Sequence, residues 1–154
     1  MEPSGFWLLF FYNHSMATEF RLLEHASDVG VWAGGATREE ALIAASKGLV
    51  SIIVNPKPFR PLEERHFKAA GSDEAAQIVN WLNEIFFFFD TEGMVFVEFA
   101  IDSWAGNEIV GRASGERLDV ERHEFRTAVK AATYHQFESR KTPDGWEIQV
   151  FVDV

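Results

Sequence analysis

The chain has 154 residues, 47% of them hydrophobic and 25% charged, with a formal net charge of -10. That length suits a single domain with a sizeable core. The absence of cysteine excludes disulfides and thiolate zinc sites and fits a reducing cytoplasm. The acidic balance argues against tight, autonomous binding of nucleic acid.

Residues 1–15 read differently from the rest of the chain. Phe6 to Tyr12 is apolar but only seven residues long, too short to span a bilayer. It lacks the basic region and cleavage site of a signal peptide. We read residues 1–15 as an upstream extension, poorly ordered or loosely packed, with Met16 as the natural start and the domain running over 16–154.

Phe20 to Leu23 reads as a short strand. It enters an acidic turn, Glu24-His25-Ala26-Ser27-Asp28-Val29-Gly30. A second strand follows from Val29 to Gly34, with Val29, Val31 and Ala33 on one face. Thr37-Arg38-Glu39-Glu40 is a capping box. It opens a helix that runs to about Val54, where Asn55-Pro56 stops it. The three prolines between Pro56 and Pro61 mark a linker. Glu63 to Ala69 reads as a strand. Ser72 is the expected N-cap of a second helix, whose stripe Ile78, Leu82, Ile85 and Phe89 recurs at helical spacing. Phe86 to Phe89 is apolar on every side, from burial or from a partner surface. Gly93 is the expected stop.

The rest is β. Strands are predicted over Met94 to Asp102 and from about Glu108 to Gly115. A polar loop holding Asp119, Glu121, Arg122 and His123 comes next. One long strand is predicted from Thr127 to Arg140. Thr142-Pro143-Asp144-Gly145 is a turn signal that pairs it with Trp146 to Asp153 as a hairpin. On this reading His135 is a core histidine. Lys130 and Asp153 come near one another at the far end of the hairpin, both off the main apolar face.

The chain ends Asp153-Val154. If that end folds beside the acidic turn, Asp28, Asp153 and the terminal carboxylate of Val154 form a set of hard oxygen ligands suited to Mg²⁺ or Ca²⁺. Asp28 read alone is a turn cap, the commoner role of a lone turn aspartate. His25 with Asp28 is a metal pair, an acid–base pair, or a turn contact. No phosphate-binding glycine loop, H-E-x-x-H or nucleophile elbow is present.

Four segments in order resemble the archease family. They are Glu24 to Gly30, the helix start Thr37-x-Glu39-Glu40-Ala41, Val129-Lys130-Ala131-Ala132-Thr133-Tyr134-His135, and the terminal Phe151-Val152-Asp153-Val154. The resemblance runs from about Glu19 to Val154. It implies a single α+β domain, two helices packed on a mostly antiparallel β-sheet. It also implies a protein cofactor of an RtcB-type RNA ligase, not an enzyme in its own right, that promotes guanylylation of the ligase in tRNA splicing or RNA repair. The implied metal ligands are Asp28, Asp153 and Val154, with Ca²⁺, Mg²⁺ or Mn²⁺ as the cation. Glu24, His25 and Lys130 are the expected supporting or partner-contact residues. The partner is the ligase, with no membrane involved. The other readings are a stand-alone metal-dependent hydrolase, with His25 as base, and a metal-dependent chaperone or assembly factor. The chain departs from the family pattern at Arg126 and Ala128, where a glycine and an acid are expected.

Overall fold

The computed structural model describes residues 18–25 and 28–154, with His25 described by its backbone alone. The expected extension over residues 1–15 and the expected start at Met16 lie outside the described residues. The fold is α+β, with helices packed against mostly antiparallel β-structure, as the sequence implies. The strands form two sheets. β1 (Glu19–His25), β2 (Asp28–Gly35), β8 (Gly145–Asp153) and β6 (Ala131–Ala132) lie side by side, and β7 (Glu138–Thr142) also pairs with β8. β3 (Glu63–Ala70), β5 (Glu108–Arg117) and β4 (Met94–Ala105) form the second sheet. The pairings are antiparallel.

Two helices lie between them and touch both sheets, α1 (Arg38–Ile53) and α2 (Glu74–Glu92). Thr37 caps α1, its hydroxyl accepting from the Glu40 N–H at 3.1 Å. Glu40 reaches back one residue further than a capping box requires and accepts from the Ala36 N–H at 3.1 Å. The N-cap of α2 is Asp73, not Ser72. Its carboxylate accepts from the Ala76 N–H at 2.8 Å and adds a negative charge at the positive helix end. Gly93 stops α2 in the left-handed region, φ 69°, which glycine enters without a Cβ penalty.

The core between the sheets holds Leu42, Leu49, Ile78, Trp81 and Leu82 from the helices. Val31, Ile148 and Val150 meet them from one sheet, Phe67, Phe96 and Ile109 from the other. Burying Trp81 leaves its indole N–H needing an acceptor. Ser46 Oγ supplies one at 3.0 Å and donates its own hydroxyl hydrogen bond to the Leu42 carbonyl at 2.7 Å. Of the phenylalanine run, Phe86 is buried and Phe88 and Phe89 pack against the core, while Phe87 is exposed. Burial thus accounts for three of the four. No helix among the described residues is long and apolar enough to cross a membrane.

The expected long strand from Thr127 to Arg140 is broken. Residues 118–130 are loop, only Ala131 and Ala132 pair with β8, and a turn separates them from β7. Ala132 pairs with Val152 and Glu138 with Gln149, so residues 133–137 cover only Val150 and Phe151. The surplus loops out. Val129 and Ala132 are both buried, where one continuous strand would set them on opposite faces, because Val129 lies in the loop before β6.

Candidate metal and partner site

The tight hairpin between β1 and β2 pairs His25 with Asp28. On its other side β2 pairs with β8, Val29 against Val152 and Gly30 against Phe151. One further step of that antiparallel register sets Asp28 across from Asp153. Directly opposed residues share a sheet face, so both aspartates stand on the face away from the main core. Asp153 in turn pairs with Ala131 of β6, and its carbonyl accepts from the Lys130 N–H at 2.8 Å. Lys130, Asp153 and Val154 are all exposed. Asp28, Asp153, Val154 and Lys130 therefore gather at one end of one sheet, although the two aspartates come from opposite ends of the domain sequence.

Gly30 is what lets β2 and β8 close at this point. A Cβ there would stand 2.5 Å from the Val150 carbonyl oxygen and 2.7 Å from the Phe151 ring. Phe151 forms a small second cluster with Leu23 and Trp32 beneath the aspartates.

Glu24 is exposed and pairs with Val29, which puts it on the opposite face from Asp28. The side chain of His25 and the residues Ala26 and Ser27 lie outside the described residues. The expected role of the His25 side chain therefore lies outside the described residues.

His135 departs from its expected place, and His123 is buried within its expected loop. His135, read as a core residue, is exposed, and its Nε2 lies 3.5 Å from Asp28 Oδ2. The looped-out turn carries it there. His123, read as a loop residue, is buried and stacks on Phe59 with ring centroids 3.7 Å apart. Its Nδ1 accepts from the Asp119 N–H, and its Nε2 is 3.7 Å from Glu116 Oε2. Burial pushes the Glu116 carboxyl up. The Arg60 N–H and the Arg122 guanidinium, at 2.8 and 2.6 Å, outweigh it and hold the group down at about 2. This cluster pins the loop and takes no part in the aspartate site.

Arg126, a departure from the family pattern, has a structural use. Its N–H donates to the Ile53 carbonyl at 2.7 Å and its guanidinium to the Ser51 carbonyl at 3.2 Å. Helix α1 has no basic residue in its last turn. Arg126 supplies both the missing donor and the cation at that negative end. Nothing in the structure explains Ala128, which is exposed.

The model of the archease protein family (MTH1598/TM1083) matches residues 20–154. The chain belongs to the archease family. It is 33% identical over 144 residues to the archease of Methanosarcina barkeri, spanning 91% of this chain and 99% of that one. It is 38% identical over 135 residues to the archease of Thermococcus kodakarensis, spanning 85% and 95%. The solution structure of Methanobacterium thermoautotrophicum protein 1598 superposes with a TM-score of 0.75 at 28% identity, over 88% of this chain and 98% of that one. A Thermotoga maritima archease, described as a possible chaperone, shares the fold with a TM-score of 0.60 at 19% identity, over 92% and 100%.

As donors, Asp28, Asp153 and a terminal carboxylate on Val154 are all hard oxygens, the chemistry that Ca²⁺ and Mg²⁺ prefer. Among the described residues no three of His, Cys, Asp or Glu stand together in a metal-holding arrangement. The fit to a cation in this archease thus rests on the two aspartates and the chain end.

Proposed function

We propose that this archease is a metal-binding protein cofactor that activates an RtcB-type RNA ligase in the cytoplasm, promoting its guanylylation and turnover in tRNA splicing or RNA repair. The observation that carries the reading is the convergence of Asp28 and Asp153 through the β2–β8 register, at an exposed sheet end that Lys130 shares. Asp28, Asp153 and the Val154 carboxylate would hold a divalent cation, Ca²⁺ or Mg²⁺ with Mn²⁺ as the third candidate. A cation bound there supplies positive charge for the phosphates of the nucleotide or the RNA end. The chain's own part is to present those carboxylates on a rigid strand pair and to hold Lys130 at the same sheet end, its exposed side chain available to phosphate. Direct RNA binding is left to the ligase, since a chain of net charge -10 has few cations with which to displace counterions.

The test uses purified ligase, GTP and divalent metal. Formation of the guanylylated ligase is followed with and without this protein. Faster guanylylation that fails with Asp28→Asn supports the proposal. No stimulation by the wild-type chain sinks it. Phosphoester turnover by the isolated chain would instead favour the stand-alone hydrolase.

A further inference from the structure

His135 is exposed, yet the structure holds it from several sides. Its backbone N–H donates to Thr133 Oγ1 at 3.3 Å. Thr133 is itself tied to β8, its N–H and hydroxyl both donating to the Phe151 carbonyl at 3.0 and 3.1 Å. Gln136 adopts φ 52°, in the left-handed region, and its carbonyl accepts from Gln149 Nε2 at 2.9 Å. The Phe137 N–H closes the turn on the Tyr134 carbonyl at 3.1 Å. The imidazole lies edge-on to Phe151, ring centroids 6.2 Å apart. A non-glycine residue in the left-handed region is strained, and here it turns the chain so that residue 135 reaches Asp28.

We infer that His135 is a positioning residue for Asp28. Its Nε2–H holds Asp28 Oδ2 and leaves Oδ1 turned to the cation. The inference rests on the proposed metal site and adds the group that orients one ligand. An aspartate at an exposed strand end samples several rotamers, and ligation must freeze one of them. Ligating carboxylates are commonly fixed by an outer hydrogen bond, and losing such a partner typically costs 10- to 100-fold in metal affinity. The contact of 3.5 Å shortens to an ordinary N–H···O bond with a small rotation of the exposed ring.

Calorimetric titration of the full chain with Ca²⁺ alone and Mg²⁺ alone tests this on wild type, Asp28→Asn, His135→Ala and His135→Gln. His135→Ala should bind roughly 10- to 100-fold more weakly. The metal-free melting temperature should stay unchanged, because the ring is exposed. His135→Gln should regain most of the affinity, since its amide N–H stands close to where Nε2 stood and can donate. If Asp28→Asn abolishes binding while His135→Ala binds like wild type, the inference fails and the metal reading survives. Equal weakening of both His135 variants, or a lowered metal-free melting temperature in His135→Ala, also overturns it. If the wild-type chain binds neither cation, the metal reading falls and takes this inference with it.

Discussion

The Lys130 N–H donates to the Asp153 carbonyl at 2.8 Å, so the segment before β6 is zipped onto the end of the last strand. On the other side of that strand, the register brings Asp28 to the same level. The position of Asp153 is therefore fixed from two sides by main-chain pairing, and its exposed carboxylate is free for ligand. Stability and chemistry are separated at this residue, which makes side-chain substitutions at the site informative.

Asp28→Asn keeps size and turn-forming ability but removes one charged oxygen. We expect the metal-free melting temperature to change little. Wild type should gain about 2.7 kcal/mol when free Ca²⁺ or Mg²⁺ stands a hundredfold above its dissociation constant, and the variant should gain almost nothing. Thermal melts with and without metal check this. A wild-type rise that the variant retains would show that Asp28 only shapes the hairpin.

The Glu116 cluster makes a separate prediction about pH. The folded protein holds this carboxyl at about 2, below the unfolded value. A depressed folded value means that the unfolded chain binds the proton first. Its stabilisation is complete above the unfolded value and is lost as pH falls from about 5 toward about 2. Glu116→Gln should lower stability at neutral pH by about 1–2 kcal/mol, since it weakens charge-assisted bonds to Arg60 and Arg122. The difference between variant and wild type should shrink as the acid limb is descended. A denaturant series from neutral pH down to about pH 2.5 spans that window, and a constant difference would mean that Glu116 does not titrate with folding.

Much of this was legible in the sequence because the signals were local. Thr37 with Glu40, Gly93 after the apolar stripe of α2, and the Thr142 to Gly145 turn each carry their own chemistry within a few residues. The meeting of Asp28 with Asp153 was legible only through the family resemblance, since no local pattern fixes the β2–β8 register. The break in the expected long strand was hidden because no glycine or proline marks it. The Thr133 hydroxyl and the Gln149 amide make that turn from the side, through contacts with Phe151 and Gln136. The same omission misplaced His135. The loop position of His123 was legible, but its burial was not, because the stacking ring of Phe59 is distant in sequence.

Gly30→Ala tests the strand geometry that the site depends on. The new methyl meets the Val150 carbonyl oxygen and the Phe151 ring at distances that force β2 and β8 apart. Overpacking of this kind costs about 1–3 kcal/mol, a fall of roughly 3–10 °C in melting temperature for a chain of this size. Divalent affinity should fall as well, because separating the strands separates Asp28 from Asp153. A variant that melts lower yet binds metal as tightly as wild type would show that the two aspartates do not act together.

Lys130→Ala separates ligase activation from metal binding. The main-chain bond from residue 130 to Asp153 does not need the side chain, and the lysine is exposed, so stability should change by no more than about 0.5 kcal/mol. Removing a neighbouring cation should leave Ca²⁺ or Mg²⁺ affinity equal to wild type or slightly tighter, because like charges repel. Stimulation of the ligase should nevertheless fall, by about tenfold if the ammonium contributes one charge-assisted bond to phosphate in the activated complex. Lys130→Arg keeps the charge and should retain part of the stimulation. Melting curves, metal titration and guanylylation rates on the same three proteins separate the outcomes. Full stimulation by Lys130→Ala would remove the lysine from the mechanism and leave activation to the carboxylates alone.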